Sequence, residues 1–477
     1  MMISLRTRAL YGAGGAVYAT KEAAFTMFIL MFYTQVLGLD GSITGLIISL
    51  SLIWDAVSDP LVGALSDRSR SKYGRRHPFL YASIVPLGLG FYGLFSPPES
   101  FIGSNLLLGG WLLFWSLWIR TFITTFAVPH LALSAEITSD YHQRSQVLGA
   151  RLAFMFLFTV GLPAVGLLYI FAETAGVDGR FELSNYPIYG GLSCLVIWVM
   201  GTASTVGTRR YAIAPLDTSG TLPQRITLLS LIHDLLLTFK NRNFRLILGY
   251  EIAAMISYGA IATLNMLVWT YYWEFSAMEV SMILAIPSLL AVGLVMMTLG
   301  PLTRRFQKNR LLQLSILGLI LNCLWLYPLR FMDWLPANGT LTIFILNFLF
   351  MMIFMYLFLL RAINTQSIIA DITDEHELDH GTRQEGGFFA TTNFTAKLAS
   401  VFGPVYGGIA LDVINLQSGA LPGEVPQSTL DGLAYAMGLG ALPALFVAYY
   451  FVIHIKVGQK DVEQIQARIK QRRANAQ

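Results

Sequence analysis

Two aspartates four residues apart, Asp55 and Asp59, stand in an apolar run with Ser58 beside them. On a helix, positions i and i+4 share one face, about 5–6 Å apart. Two carboxylates that close in a low dielectric repel each other, so one must hold a proton or a cation must sit between them. Asp and Ser offer oxygen only, and oxygen ligands with one or two carboxylates suit a hard cation such as Na⁺, or a proton. This reading makes Asp55 and Asp59 ligands of Na⁺ and of no other metal. The competing reading is a structural ion-pair network, with Asp59 held by Lys397 or an arginine.

Further ionisable residues interrupt apolar runs: Lys21, Glu22, Arg120, Arg151, Arg245, Glu251, Arg361 and Lys397. Such groups cost about 3 kcal/mol each on insertion scales and mark solute or ion pathways by default. Tyr18, Lys21 and Glu22 fall at i, i+3 and i+4 and so share a helix face. They either touch a solute or neutralise one another. Lys21, Arg120 and Lys397 could favour an anionic group. Arg151 lies near the start of its run, where its long side chain could snorkel to the interface.

The elements that must carry these groups are membrane spans. The chain has 477 residues, 55% hydrophobic and 13% charged. A soluble domain carries about 25% charged residues, so this composition describes an integral membrane protein. It excludes disorder, coiled coil and a disulfide-rich secreted scaffold. A net charge of +4 is too mild to indicate a nucleic-acid partner. Cys194 and Cys323 lie far apart in apolar runs and read as small buried hydrophobes. Apolar stretches of about 20 residues, enough to cross a bilayer, predict twelve spans. They cover 12–36, 43–65, 79–95, 106–131, 147–171, 186–207, 244–273, 279–302, 311–329, 341–369, 387–411 and 431–455. The first continues past Lys21 and Glu22 for a full span, so it is not read as a cleaved signal. Trp111, Trp115 and Trp118 read as interface and lipid-facing residues.

With a cytoplasmic N-terminus, the inner segments hold 24 Lys and Arg and the outer segments only Arg180 and Arg330. That asymmetry places both termini inside. The expected organisation is a six-helix bundle over 1–207, a cytoplasmic linker with an amphipathic helix over 208–243, a second six-helix bundle over 244–455, and a cytoplasmic tail over 456–477. Two six-span halves around a midplane site are the architecture of an all-α major-facilitator transporter. At 1.5 Å per residue, Asp55 and Asp59 lie about 18 and 24 Å from the outer end of span two, and Thr124 about 27 Å from that of span four. Lys397 lies about 15 Å from the inner end of span eleven. One shared cavity is geometrically possible.

The run Trp54-Asp55-Ala-Val-Ser58-Asp59-Pro60, then Gly63 and Ser66-Asp67-Arg68-Ser-Arg70-Ser-Lys72-Tyr-Gly74-Arg75-Arg76-His-Pro78, resembles the glycoside–pentoside–hexuronide:cation symporters. These form the melibiose-permease-like branch of the major facilitator superfamily. Tyr11-Gly12, Pro129 to Glu136, Asp140-Tyr141 with Arg144, and Ala370-Asp371 through Gly386 to Lys397 extend the likeness along the chain. The resemblance implies a Na⁺-, Li⁺- or H⁺-coupled symporter working by alternating access, with no cofactor beyond the coupling ion. It places the cation at Asp55, Ser58, Asp59 and Thr124, with serine where melibiose permeases have asparagine. It makes Lys397 a residue near cation and substrate, and Arg151 a match to the family's span-five arginine. It also implies an inner gate of paired charges from Asp67, Arg68, Arg75, Arg76, Glu136, Arg144 and Asp371.

Two departures bear on the solute. Melibiose permeases bind galactoside through aspartates in spans one and four, and the corresponding positions here are Ala19 and Ala127. A tryptophan one turn further on becomes Leu131. The expected solute is therefore a sugar, glycoside or uronate seated differently, or an amphiphile as in the related lysophospholipid carriers. Other classes fit less well. An intramembrane prenyltransferase would read Asp55-x-x-x-Asp59 as a Mg²⁺–diphosphate motif, yet basic diphosphate ligands are missing nearby. A non-transporting scaffold would have no use for the buried charges. The expectation is a monomeric, multi-pass, non-enzymatic carrier of the bacterial inner membrane whose partners are a small solute, a coupling cation and the bilayer.

Overall fold

The computed structural model describes residues 3–138, 140–174, 176–212, 239, 241–380 and 385–455. Among these the secondary structure is helical, apart from one isolated bridge between Thr174 and Val177. In chain order the spans are α1, Leu5–Ala23 continued by helical turns to Val36; α2, Gly41–Arg68; α3, His77–Leu94; α4, Asn105–Ile137; α5, Tyr141–Val165 with a wide turn to Ile170; and α6, Asn185–Gly207. The second set is α7, Arg242–Leu267 continued to Tyr272; α8, Ala277–Arg305; α9, Lys308–Cys323 with Leu326–Phe331; α10, Leu341–His380; α11, Glu385–Ser400 with Phe402–Val413; and α12, Gln427–Ala434 continued to Leu442–Ile453. Ten of these are long and apolar enough to cross a bilayer; 5–36 and His77–Leu94 complete the twelve. Most helices overrun the expected spans, α10 by the most, since it carries on past the apolar run through charged sequence to His380. The amphipathic stretch expected over 224–240 lies outside the described residues except at position 239, and the tail 456–477 lies outside them entirely.

Prolines fall inside several of these helices without ending them, including Pro60 in α2 and Pro129 in α4. In a bilayer the carbonyl freed by a proline has no water to turn to, and neighbouring helices and hydroxyls satisfy it instead. Helices then approach closely where side chains are small. At Gly15 of α1, an added Cβ would lie 2.3 Å from the carbonyl oxygen of Arg151 in α5. At Gly14 it would lie 2.2 Å from the ring of His130 in α4. That ring is stacked 4.4 Å from Tyr11, and its Nε2 lies 3.1 Å from both the Tyr11 carbonyl and Ser204 Oγ. α1 is thus wedged between α4 and α5, which fixes the height at which Lys21 and Glu22 stand.

Contacts divide the chain into two compact units. The first comprises the described residues of Met1–Gln224, Ala262–Met282 and Pro404–Leu433; the second comprises those of Arg225–Ile261, Ile283–Gly403 and Ala434–Gln477. Specific bonds hold the later segments within the first unit. Arg180, 2% exposed, donates to Thr270 Oγ1 at 2.7 Å and to the Phe275 carbonyl at 2.6 Å. The Asp412 carboxylate accepts from the N–H groups of Gly41 and Ser42 at 2.9 and 2.8 Å. A carboxylate there satisfies N–H groups that α2 cannot satisfy itself and complements the helix dipole. The tryptophans of α4 do more than line lipid. Trp111 and Trp118 donate to the Gly93 and Pro86 carbonyls of α3 at 2.9 and 2.8 Å.

Candidate functional site

α2 presents Asp55, Ser58 and Asp59 to α4, which presents Arg120 and Thr124. Both helices use i and i+4 spacing, so the side chains meet as two rungs. On one rung the Thr124 hydroxyl donates to Asp59 Oδ1 at 2.9 Å. It also lies 3.3 Å from Asp55 Oδ1 and 3.2 Å from Ser58 Oγ, while Ser58 Oγ lies 3.3 Å from the Asp55 carbonyl. Each hydroxyl has one hydrogen to give. Four oxygen–oxygen contacts therefore share two hydrogens, and the remainder set lone pair against lone pair. Such an oxygen-rich cluster can accommodate a small hard cation. The four residues that the sequence grouped by resemblance come together here. Asp55, Ser58 and Thr124 are buried and Asp59 is half-buried.

On the other rung, Arg120 Nη1 donates to Asp55 Oδ2 at 2.8 Å. Arg120 is 2% exposed, and its guanidinium carbon lies 4.6 Å from the Phe25 ring of α1. Lys21 Nζ comes within 3.9 Å of the same Asp55 oxygen. It donates to Glu22 Oε1 at 2.5 Å and lies 4.5 Å over the Tyr18 ring. The face predicted for Tyr18, Lys21 and Glu22 is therefore real. Glu22 is 38% exposed at the side chain, whereas Lys21 is buried against the aspartate. Arg151 is half-buried on α5, and its Nε has no hydrogen-bond acceptor among the described residues. Lys397 is half-buried on α11 in the second unit. Ala19 is fully buried and Ala127 half-buried, and neither brings a polar side chain.

The charges expected at an inner gate pair within each unit. In the first, Arg76 bonds Asp67, donates to Ser66 Oγ at 2.6 Å and reaches Glu136 Oε1 at 3.3 Å. Arg75 donates to the same Glu136 oxygen at 2.8 Å. Arg68 and Arg144 are exposed. In the second, Asp371 accepts from Lys308 Nζ at 2.9 and 2.7 Å. Lys308 is the first residue of α9. Its partner stands 63 residues away, beyond the reach of any local pattern.

The second unit also holds a buried charge cluster that the sequence flagged by composition but could not assemble. Arg361 of α10, 2% exposed, donates from Nη1 to the Tyr250 hydroxyl at 3.0 Å and to Glu251 Oε2 at 3.3 Å. Tyr250 and Thr365 share a 3.1 Å hydroxyl contact. A small cavity beside the guanidinium is lined mostly by apolar groups, including Ile261, Leu319, Phe354 and Leu445.

Comparison with known proteins accords with this arrangement. A family model described as MFS/sugar transport protein matches residues 10–456. An uncharacterized symporter of Synechocystis sp. is 29% identical over 36% of this chain and 32% of its own; the chain thus matches about a third of that relative's length. The putative glycoside/cation symporter YagG of Escherichia coli is 24% identical over 87% of this chain and 84% of its own. Among solved structures, the nucleoside transporter NupG superposes with a TM-score of 0.61 at 14% identity, over 95% of this chain and 99% of that one. That likeness shows the fold, twelve helices of the major-facilitator kind. From the family match along nearly the whole chain and the helical architecture together, the chain belongs to the MFS/sugar transport protein family of the major facilitators, the glycoside/cation symporter group that its span-two motif resembles.

Proposed function

We propose that the protein couples the inward movement of a monovalent cation, Na⁺ or H⁺, to that of a sugar, glycoside or uronate by alternating access. One observation carries this reading: the cluster of Asp55, Asp59, Ser58 and Thr124 oxygens, in which four contacts share two hydroxyl hydrogens. Asp59, Thr124 and Ser58 would supply the main ligands, with Asp55 contributing Oδ1. The match to a relative named as a putative glycoside/cation symporter over most of both chains supports the sugar class. Glu22, with Tyr18 on the same face, would accept solute hydroxyls; Arg151 in the first unit and Lys397 in the second would each serve as a solute or coupling residue. The paired charges around Arg76 and Glu136, and Lys308 with Asp371, would serve the inner gate. A bacterial inner membrane, a monomer and cytoplasmic termini complete the reading.

Uptake into proteoliposomes tests it. A panel of labelled hexosides, pentosides, uronates and lysophosphatidylcholine is offered with an inward Na⁺ gradient, an inward H⁺ gradient, or neither. The expected result is gradient-driven accumulation of at least one sugar or uronate. Accumulation of the lysolipid alone would move the solute to the amphiphile class. Uptake of every solute regardless of gradient would remove cation coupling. For orientation, Ser219→Cys should resist an impermeant maleimide added to intact cells, while Ser42→Cys should react.

A further inference from the structure

The rung between Asp55 and Arg120 holds a fixed positive charge that bears on ion binding. Arg120 Nη1 stands 2.8 Å from Asp55 Oδ2, and both residues are buried. The guanidinium packs over Phe25 one turn before Thr124, and its Nε has no hydrogen-bond acceptor among the described residues. An arginine keeps its charge at any accessible pH. Asp55 Oδ2 is thus committed to Arg120 and, more distantly, to Lys21, which leaves Oδ1 as the oxygen turned toward Thr124.

We infer that Arg120 is a positioning residue of the ion site: it acts as a resident cation on Asp55, turns one carboxylate oxygen toward Thr124, and lowers the affinity of the cluster for the exchangeable ion. The inference rests on the cation reading of the cluster. Like charges a few ångströms apart in a low dielectric repel strongly, so the resident guanidinium opposes every cation that enters. Such weakening favours release of the ion on the cytoplasmic side, where a tightly held cation would stall the cycle.

Equilibrium binding of ²²Na⁺ to the purified full chain in detergent, with Li⁺ competition, provides the test. Removing the resident charge in Arg120→Gln should tighten Na⁺ binding by about tenfold or more. Arg120→Lys should stay within about threefold of the wild type, because it restores the charge. Asp55→Asn leaves Arg120 uncompensated and should abolish measurable binding, while the double variant Asp55→Asn/Arg120→Gln should regain it. Should Arg120→Gln not fold, the contrast between Asp55→Asn and the double variant carries the same test. Unchanged or weaker Na⁺ binding in Arg120→Gln, or failure of the double variant to recover, overturns the inference. If Asp59→Asn binds Na⁺ as the wild type does, the ion-site assignment itself falls, a different failure from the first. A wild type that binds neither Na⁺ nor Li⁺ overturns both.

Discussion

Each sequence half buries one arginine on its fourth helix, and the two surroundings differ. Arg120 on α4 and Arg361 on α10 are each 2% exposed, each lie 4.6 Å from a phenylalanine ring, and each bond a carboxylate. Arg120 faces an aspartate that has a second aspartate one turn along and two aliphatic hydroxyls between them. Arg361 faces Glu251 and the Tyr250 hydroxyl, which is itself bonded to Thr365. The first cluster has more oxygen contacts than hydroxyl hydrogens to fill them; the second sets one carboxylate against one guanidinium beside a cavity with mostly apolar walls. A buried arginine is therefore not diagnostic by itself. The oxygens around it decide whether the site can take up another cation or is complete as a structural pair.

The comparison breaks most sharply at Asp59. Asp59→Asn keeps the shape of the side chain and loses its charge, so cation-driven accumulation should vanish while downhill solute exchange persists. Retained, gradient-stimulated accumulation by both Asp59→Asn and Asp55→Asn would make the first cluster as structural as the second.

In the second cluster, Arg361→Met should cost about 3–5 kcal/mol of stability, because Glu251 is left as a buried uncompensated charge. The double variant Arg361→Met/Glu251→Met should recover most of that, since well-packed apolar replacement of a buried pair is often neutral. Thermal unfolding in detergent reads both, and ²²Na⁺ binding should be the same in the double variant as in the wild type. A double variant that is stable yet has lost Na⁺ binding would show that the second cluster belongs to the ion site.

Solute preference gives a further test of the first half. Ala19 and Ala127 bring no carboxylate to a galactoside, and each buried hydroxyl left without a partner costs about 1–3 kcal/mol. Melibiose should therefore bind tens-fold or more weakly than a pyranoside that the protein transports. Calorimetry giving a low-millimolar or tighter melibiose dissociation constant, lost on Glu22→Gln, would show that Glu22 replaces the missing carboxylates. The mildest change is Thr124→Ala, which removes one oxygen shared by both aspartates. Na⁺ affinity should fall about tenfold, equivalent to about 1.4 kcal/mol, and Thr124→Ser should restore it. An unchanged affinity in Thr124→Ala would shift the ligand set to Ser58 and the carboxylates.

Much of this was legible from local sequence. Asp55 and Asp59 share a face because about 3.6 residues per turn leaves them no alternative once span two is helical. The span count follows from the bilayer's thickness, which sets the length of each apolar run. The pairing of Tyr18, Lys21 and Glu22 is likewise a matter of one helix. Other features escaped. Arg120 read as a solute or coupling residue, and nothing in its neighbourhood of the chain names Asp55, 65 residues earlier, as its partner. Glu251 and Arg361, 110 residues apart, stood out only as separate costly charges. Lys308 counted only among the inner Lys and Arg, because its partner Asp371 lies on another helix.

The sequence by itself determined a twelve-span helical chain, the side chains that share each helical face, and a carboxylate pair that demands a proton or a cation. Helix periodicity and the cost of burying charge in hydrocarbon act locally, so they can be read residue by residue. Only the tertiary structure decided which charge answers which. Close approach at Gly14 and Gly15 fixes the height of α1, Asp412 caps α2, and the crossing of α2 with α4 brings Arg120 to one aspartate and Thr124 to both. Those choices depend on how rigid helices pack against one another, where a shift of one turn moves a side chain about 5.4 Å and exchanges one partner for the next.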